Sequence, residues 1–282
     1  MHAAAGIDAR SPRSARQKGE RLRRTGSLHG HDMAGVTAGS IKLSIDDRET
    51  ETVSRLAMTS QGLFRFLTGY ESLATARSSG SADGASPMPI SYDSTYETSS
   101  GERRVEIRYD GATGEIQTLG TWRRGKPRRS RVPAEMQAAT VDPLTGMVRF
   151  RHWIRDLRRD GRIQDIAVAE PARKSLALDV FDGRRRYRLE INLLERIQVD
   201  HAGARVPALR FRVDLEALAG FSKNDMLANW SSEDGQRWIE VVVTDDDDPL
   251  PVSMATVGGS LKTTVNLRKI CDGEEKCIKI DG

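Results

Sequence analysis

The chain has two cysteines, Cys271 and Cys277, in the run KICDGEEKCIKI. Asp272-Gly273 is a turn signal and apolar residues lie outside the pair, so the spacing fits a disulfide stapling a terminal hairpin. Such a bond points to an oxidising compartment. A pair of free thiols, or two metal ligands lacking partners, is the alternative. The acids Asp245 to Asp248 could attract calcium, but the Gly of the sharp turn and the closing Glu of a calcium loop are missing. They read as a solvated acidic turn. His29 and His31 have no neighbouring ligands, so no metal and no cofactor is expected. Gly258-Gly259-Ser260-Leu261-Lys262-Thr263 is similar to the end of a phosphate-binding loop, but Leu261 stands in place of the required Gly and a strand pattern follows. Arg123, Arg124, Lys126, Arg128, Arg129 and Arg131 form the densest basic run. It suits an anionic contact or, without interleaved aromatics, a solvated linker. The sequence contains no G-x-S-x-G, H-E-x-x-H or C-x-x-C motif, which argues against an enzyme. Dispersed carboxylates still leave room for an acid and base pair that only distances reveal.

The elements that must position these residues belong to a chain of 282 residues, 38% hydrophobic and 30% charged, with mean hydropathy −0.52. No apolar run reaches the roughly 18 residues of a spanning helix. The net charge of +4 and pI near 9.2 suggest nucleic acid until the charges are located. Seven basic and three acidic residues precede Gly39, which accounts for the whole surplus, and 37 of each sign follow from Gly39 onward. A nucleic-acid partner is therefore not expected. Residues 1–38 read as a disordered basic leader without the apolar core of a secretory signal, and residues 39–282 as a single β-rich domain.

The clearest structural signal is Ser175 to Asn192, where two strand patterns flank Asp182-Gly183. A two-residue turn there would set Phe181 opposite Arg184, Leu178 opposite Tyr187, Leu176 opposite Leu189 and Asp179 opposite Arg186, with one face apolar and the other charged. Ile41, Leu43 and Ile45 alternate as in a half-buried strand, and Val53 to Thr59 reads as its partner. Leu63, Phe64, Phe66 and Leu67 cluster as a plug or pocket lip. Further alternating runs follow through Tyr92, Val105, Trp122, Ala208 to Leu215, Trp238 to Val243, Val252 and Val265, the habit of an antiparallel meander or barrel. A helix is expected from about Asp142 to Arg159, with Thr140 or Asp142 as N-cap, Pro143 in the first turn and Gly161 at the end. Leu144, Met147, Phe150, Ile154 and Leu157 share one face of it, with Arg149, a solvent-facing His152 and Asp156 opposite.

Val141-Asp142-Pro143-Leu144-Thr145 at the helix start and Val180-Phe181-Asp182-Gly183 followed by Arg185-Arg186-Tyr187 at the hairpin resemble the bacterial family called domain of unknown function 3108. Gly62-Leu63-Phe64 before a Gly-Tyr pair and Pro251-Val252 entering a late strand add to the resemblance, which covers about Gly39 to Ile270. It implies an exported, periplasmic cell-envelope protein of mostly β structure. Family members would carry an export signal and a first strand, and here Ala34 to Ser40 looks like the remnant of that strand behind an unrelated leader.

The expected fold is mainly β: a strongly curved antiparallel sheet or open β-barrel packed around one long helix, similar to lipoprotein carriers. A sheet of this size encloses more space than small side chains fill. The expected role is non-catalytic binding or scaffolding of a lipid, a lipoprotein acyl chain or a peptide, with Phe64, Phe66, Phe150, Trp153 and Tyr187 as the lining. A protein-interaction factor in envelope maintenance without a ligand cavity, and a hydrolase with dispersed carboxylates, are the alternatives.

Overall fold

The computed structural model describes residues 23–33, 36–37, 39–61, 70–80, 85–98, 101–163, 175–201, 203–222, 225, 237–258, 263–272 and 276–279, with side chains between 39 and 271. The fold is mainly β. In chain order the strands are β1 (Arg23–Met33), β2 (Val36–Thr37), β3 (Gly39–Asp47), β4 (Glu51–Ser60), β5 (Glu71–Ser79), β6 (Pro89–Glu97), β7 (Arg103–Tyr109), β8 (Ile116–Arg123) and β9 (Lys126–Pro127). A single 3-10 turn, Ala134–Met136, precedes helix α1 (Pro143–Arg159). After the helix come β10 (Ser175–Phe181), β11 (Arg186–His201), β12 (Ala204–Ala219), β13 (Trp238–Thr244), β14 (Pro251–Val257), β15 (Thr264–Asp272) and β16 (Lys276–Lys279).

The antiparallel strands pair in the order β10-β11-β12-β13-β14-β15-β1-β3-β4-β5-β6-β7-β8-β9, with β16 beside β15 and β2 beside β1. The ends of this order do not pair with one another among the described residues, so the backbone ladder is open. Helix α1 nevertheless touches β10 and also β4 and β5, strands eight and nine places away along the order. A flat sheet could not place them on one helix, so the sheet bends round it. At the tip of the β10–β11 hairpin side chains bridge what the ladder leaves open. Arg184 donates to the Tyr96 hydroxyl on β6, and Ser130 Oγ donates to the Gly183 carbonyl at 3.2 Å.

The helix starts where the sequence predicts. Asp142 is the N-cap, its carboxylate accepting from the backbone N–H of Leu144 at 3.0 Å and of Thr145 at 2.9 Å, with Pro143 at the first helical position. Val141, just before it, donates to Asp179 O and accepts from Phe181 N, each at 2.9 Å. The segment entering the helix thus covers part of the exposed edge of β10. Leu144, Val148, Ile154 and Leu157 are buried along the helix. One core cluster joins Ile154 and Leu157 to Leu178, Ile191, Phe211 and Val243 of β10–β13. A second joins Leu144 to Tyr92, Ile107 and Phe181.

Four expectations change. The leader was expected to extend to residue 38, yet Arg23–Met33 is a strand paired with both β15 and β3. Backbone hydrogen bonds from two neighbours hold a polar run that lacks apolar alternation of its own. The central hairpin has a four-residue loop: Phe181 faces Arg186, Val180 faces Tyr187, Leu178 faces Leu189 and Asp179 faces Arg188. Asp182 Oδ1 accepts from the N–H groups of Arg184 at 2.9 Å and Arg185 at 2.7 Å, an Asx-type turn that outcompetes the tighter one. The slip is two residues, so each side chain keeps its face. His152 is half-buried, with Nε2 out of water, so the helix is covered on more than its apolar face. Asp245 to Asp248 is not simply a solvated turn: Asp245 is 6% exposed and, with Asp247 and Asp248, meets arginines of the helix.

Candidate functional site

The helix carries Pro143, Gly146, Met147, Phe150 and Ile154 on adjoining turns, and this face does not meet the sheet everywhere. It borders a cavity of about 320 Å³. Ile41, Leu43 and Ile45 of β3 and Leu56 and Met58 of β4 form one wall. Leu178, Leu189, Ile191 and Val213 of β10–β12 form the other, and Ile239, Val241 and Val243 of β13 continue it. Met254 of β14 and Leu267 of β15 also line it, with Pro249 and Leu250 from the loop between β13 and β14 and Pro251 at the start of β14. Gly146 contributes to the space by having no side chain. Among the described residues that line it, only Arg151 has a polar side chain.

At Arg151 the apolar wall ends in a network of charges. The Arg151 guanidinium donates to Asp47 Oδ2 at 2.7 Å and pairs with Asp248. Arg155, one turn on, reaches Asp248 at 3.0 Å and Asp47 at 3.5 Å. Arg158, near the end of the helix, pairs with Asp245 and lies 3.3 Å from Asp247, and Arg196 of β11 binds the other oxygen of Asp245 at 2.6 Å. Burial by itself would raise the Asp47 carboxyl, but Arg151, a hydrogen bond from Thr52 and Arg155 outweigh it and hold Asp47 below the ordinary carboxylate range. The loop is also tied by its backbone. Asp245 N donates to Pro207 O at 2.9 Å, and Leu250 N donates to Thr244 Oγ1 at 3.0 Å.

A separate polar cluster lies at the helix N-terminus. Asp142 is fully buried, and the same carboxylate that caps the helix also accepts from Thr145 Oγ1 at 2.6 Å. Desolvation dominates these hydrogen bonds and raises its pKa to about 6. Tyr92, Tyr109 and Tyr187 are buried nearby, and burial raises each phenol further, assisted by the Asp142 charge. Arg185 pairs with Asp182 at 2.7 Å and Asp225 at 3.1 Å beside them.

The chain matches, over residues 27–265, the model of the family described as protein of unknown function (DUF3108). The chain belongs to the DUF3108 family. No curated protein matches it. Among solved structures, it is similar to the crystal structure of a beta-barrel-like protein of domain of unknown function DUF1849 from Brucella abortus. That likeness has 11% sequence identity and a TM-score of 0.46, covering 93% of this chain and 98% of that one.

Of the residues expected to line a pocket in this DUF3108 chain, Phe150 does so. Phe64 and Phe66 lie outside the described residues. Trp153 does not line the cavity and packs with Phe150 and Phe211, ring centroids 6.2 and 5.9 Å away. Tyr187 is buried next to the hairpin loop, because the true register sets it opposite Val180 instead of Leu178. The residues missed are Ile41, Leu43 and Ile45 and their partners Leu56 and Met58. Their alternation marked a half-buried strand, but period two says only that a face is covered, not whether its cover leaves a gap. Arg151 carried no signal beyond its place in the helical pattern. In the basic run, Arg123, Arg124, Lys126, Arg128, Arg129 and Arg131 are all exposed. Among the described residues no group of three or more His, Cys, Asp or Glu is placed to hold a metal, and no helix is long and apolar enough to cross a membrane.

Proposed function

We propose that this protein is a non-catalytic binder of an apolar chain, such as the acyl chain of a lipid or lipoprotein, in the cell envelope. One observation carries the reading: a cavity of about 320 Å³ in which, among the described residues, all lining side chains but Arg151 are apolar. Binding pockets are mostly apolar with few polar groups at their rim, and an apolar guest releases water from such walls. The bent sheet, with its helix inside, is the architecture that leaves this space.

The envelope location rests on the family resemblance and on the terminal hairpin. Cys271 stands directly opposite Cys277 in the β15–β16 ladder. Opposed residues of antiparallel strands have Cα atoms about 4.5–5.5 Å apart, within the range a disulfide spans. We read the two as joined, which suits an oxidising periplasm. Mass spectrometry after alkylation without reductant is expected to show neither cysteine modified.

The binding role is tested with N-phenylnaphthylamine, a neutral apolar fluorophore, added to delipidated protein. Saturable uptake at one site per chain is expected. Met147→Trp, which places a larger ring at the cavity wall, is expected to weaken it about tenfold or more, roughly 1.4 kcal/mol. Absence of saturable uptake by the unmodified protein would remove the reading.

A further inference from the structure

We propose that the cavity selects an acyl chain whose polar end is uncharged, an ester or an amide, over a free fatty carboxylate. This rests on the binding role above and names its ligand class. The charge state of the rim carries the argument. Among the described lining residues Arg151 is the one that could receive an anionic end, and it is already held by Asp47 and Asp248. Its side chain is 11% exposed. The neighbouring cations are committed in the same way: Arg155 to Asp47 and Asp248, Arg158 to Asp245 and Asp247, and Arg196 to Asp245. Among the described residues, the four arginines and four aspartates joined in these pairs balance formally.

A carboxylate brought to this rim would lose hydration, gain no uncompensated cation and face carboxylates already in place. Like charges brought together at a partly desolvated site oppose binding. An ester or amide end carries no net charge, so it escapes that repulsion, and its carbonyl can still accept from water or a guanidinium N–H. The chain itself sees the same apolar walls whichever end it carries. The rim therefore contributes discrimination and the walls contribute affinity.

The test compares methyl dodecanoate, N-methyl dodecanamide and dodecanoate by calorimetry on the full chain at pH 7.5. The ester arm stands for glycerolipid-type linkage and the amide arm for an acylated amine. At least one neutral ligand is expected to bind about tenfold or more tightly than dodecanoate. Asp248→Asn, or Asp47→Asn if the first variant does not fold, uncovers part of the Arg151 charge and is expected to strengthen dodecanoate binding about tenfold. Equal or tighter binding of dodecanoate by the unmodified protein overturns the proposal. A neutral preference that neither Asp variant shifts toward dodecanoate overturns its assignment to this rim. If N-phenylnaphthylamine binds while these comparisons fail, the selectivity is wrong and the binding role stands; if none of the four compounds binds, both fall.

Discussion

Asp142 is one residue doing two opposed things. Its carboxylate closes the helix N-terminus by accepting from two backbone N–H groups and the Thr145 hydroxyl, yet full burial raises its pKa to about 6. A folded-state pKa above the unfolded value means that the native state binds the proton more tightly. The associated stability is present below about pH 4 and is lost as the pH rises through about 6, a change on the order of 3 kcal/mol. Asp142→Asn keeps an oxygen acceptor for the cap and removes the titration. Urea unfolding midpoints measured from pH 4 to 7.5 are expected to fall for the unmodified protein relative to Asp142→Asn. Parallel profiles would show that the buried carboxyl does not titrate in this window. The difference between the two proteins is the quantity to use, because Asp47, whose pKa is lowered, changes stability in the opposite direction. The cap was legible in the sequence from Val141-Asp142-Pro143. Its burial was not, since that requires Tyr92, Tyr109 and Tyr187 from three other strands.

Among the elements, the helix and the central hairpin show how far local patterns reach. The apolar face of α1 was readable from its spacing, and Gly146 lies on it with the β-carbon position 3.8 Å from Val141 and 3.9 Å from Leu178 and Val180. These are ordinary contacts and helical Gly is entropically costly, so Gly146→Ala is expected to raise stability by about 0.5–1 kcal/mol. Gly183 in the hairpin loop is the opposite case. Its φ is +85°, and a β-carbon there would come 2.2 Å from Val105 Cγ1. Gly183→Ala is expected to lower stability by about 1–3 kcal/mol. Chemical denaturation of the two variants checks both signs, and a neutral Gly183→Ala would contradict this packing of the hairpin against β7. The Asp-Gly signal located the turn but not its length, because Asp182 binds the backbone of Arg184 and Arg185 and so favours a longer loop. Since the discrepancy is two residues, the apolar face survived it. A one-residue error would have inverted the face.

For the whole molecule, binding and folding are linked, because a guest that fills the cavity stabilises only the folded chain. Methyl dodecanoate at about a hundred times its dissociation constant is expected to add about 2.7 kcal/mol, seen as a higher unfolding temperature that Met147→Trp largely abolishes. No shift at saturating ligand would contradict binding to the native cavity. The sequence by itself determined the mainly β class, the alternating strands, the helix and its cap, and the family, because each depends on residues close together in the chain. It also located the basic surplus outside the stretch that begins at Gly39. Tertiary structure alone decided that β3 and β4 would face β10–β13 across the helix, that Arg151 would end the apolar wall, and that Asp47 and Asp248 would meet on one guanidinium. Those contacts join segments about one hundred residues apart. Side-chain periodicity says which face a strand or helix buries, but the space left between buried faces depends on how the sheet bends, which no local run of residues encodes.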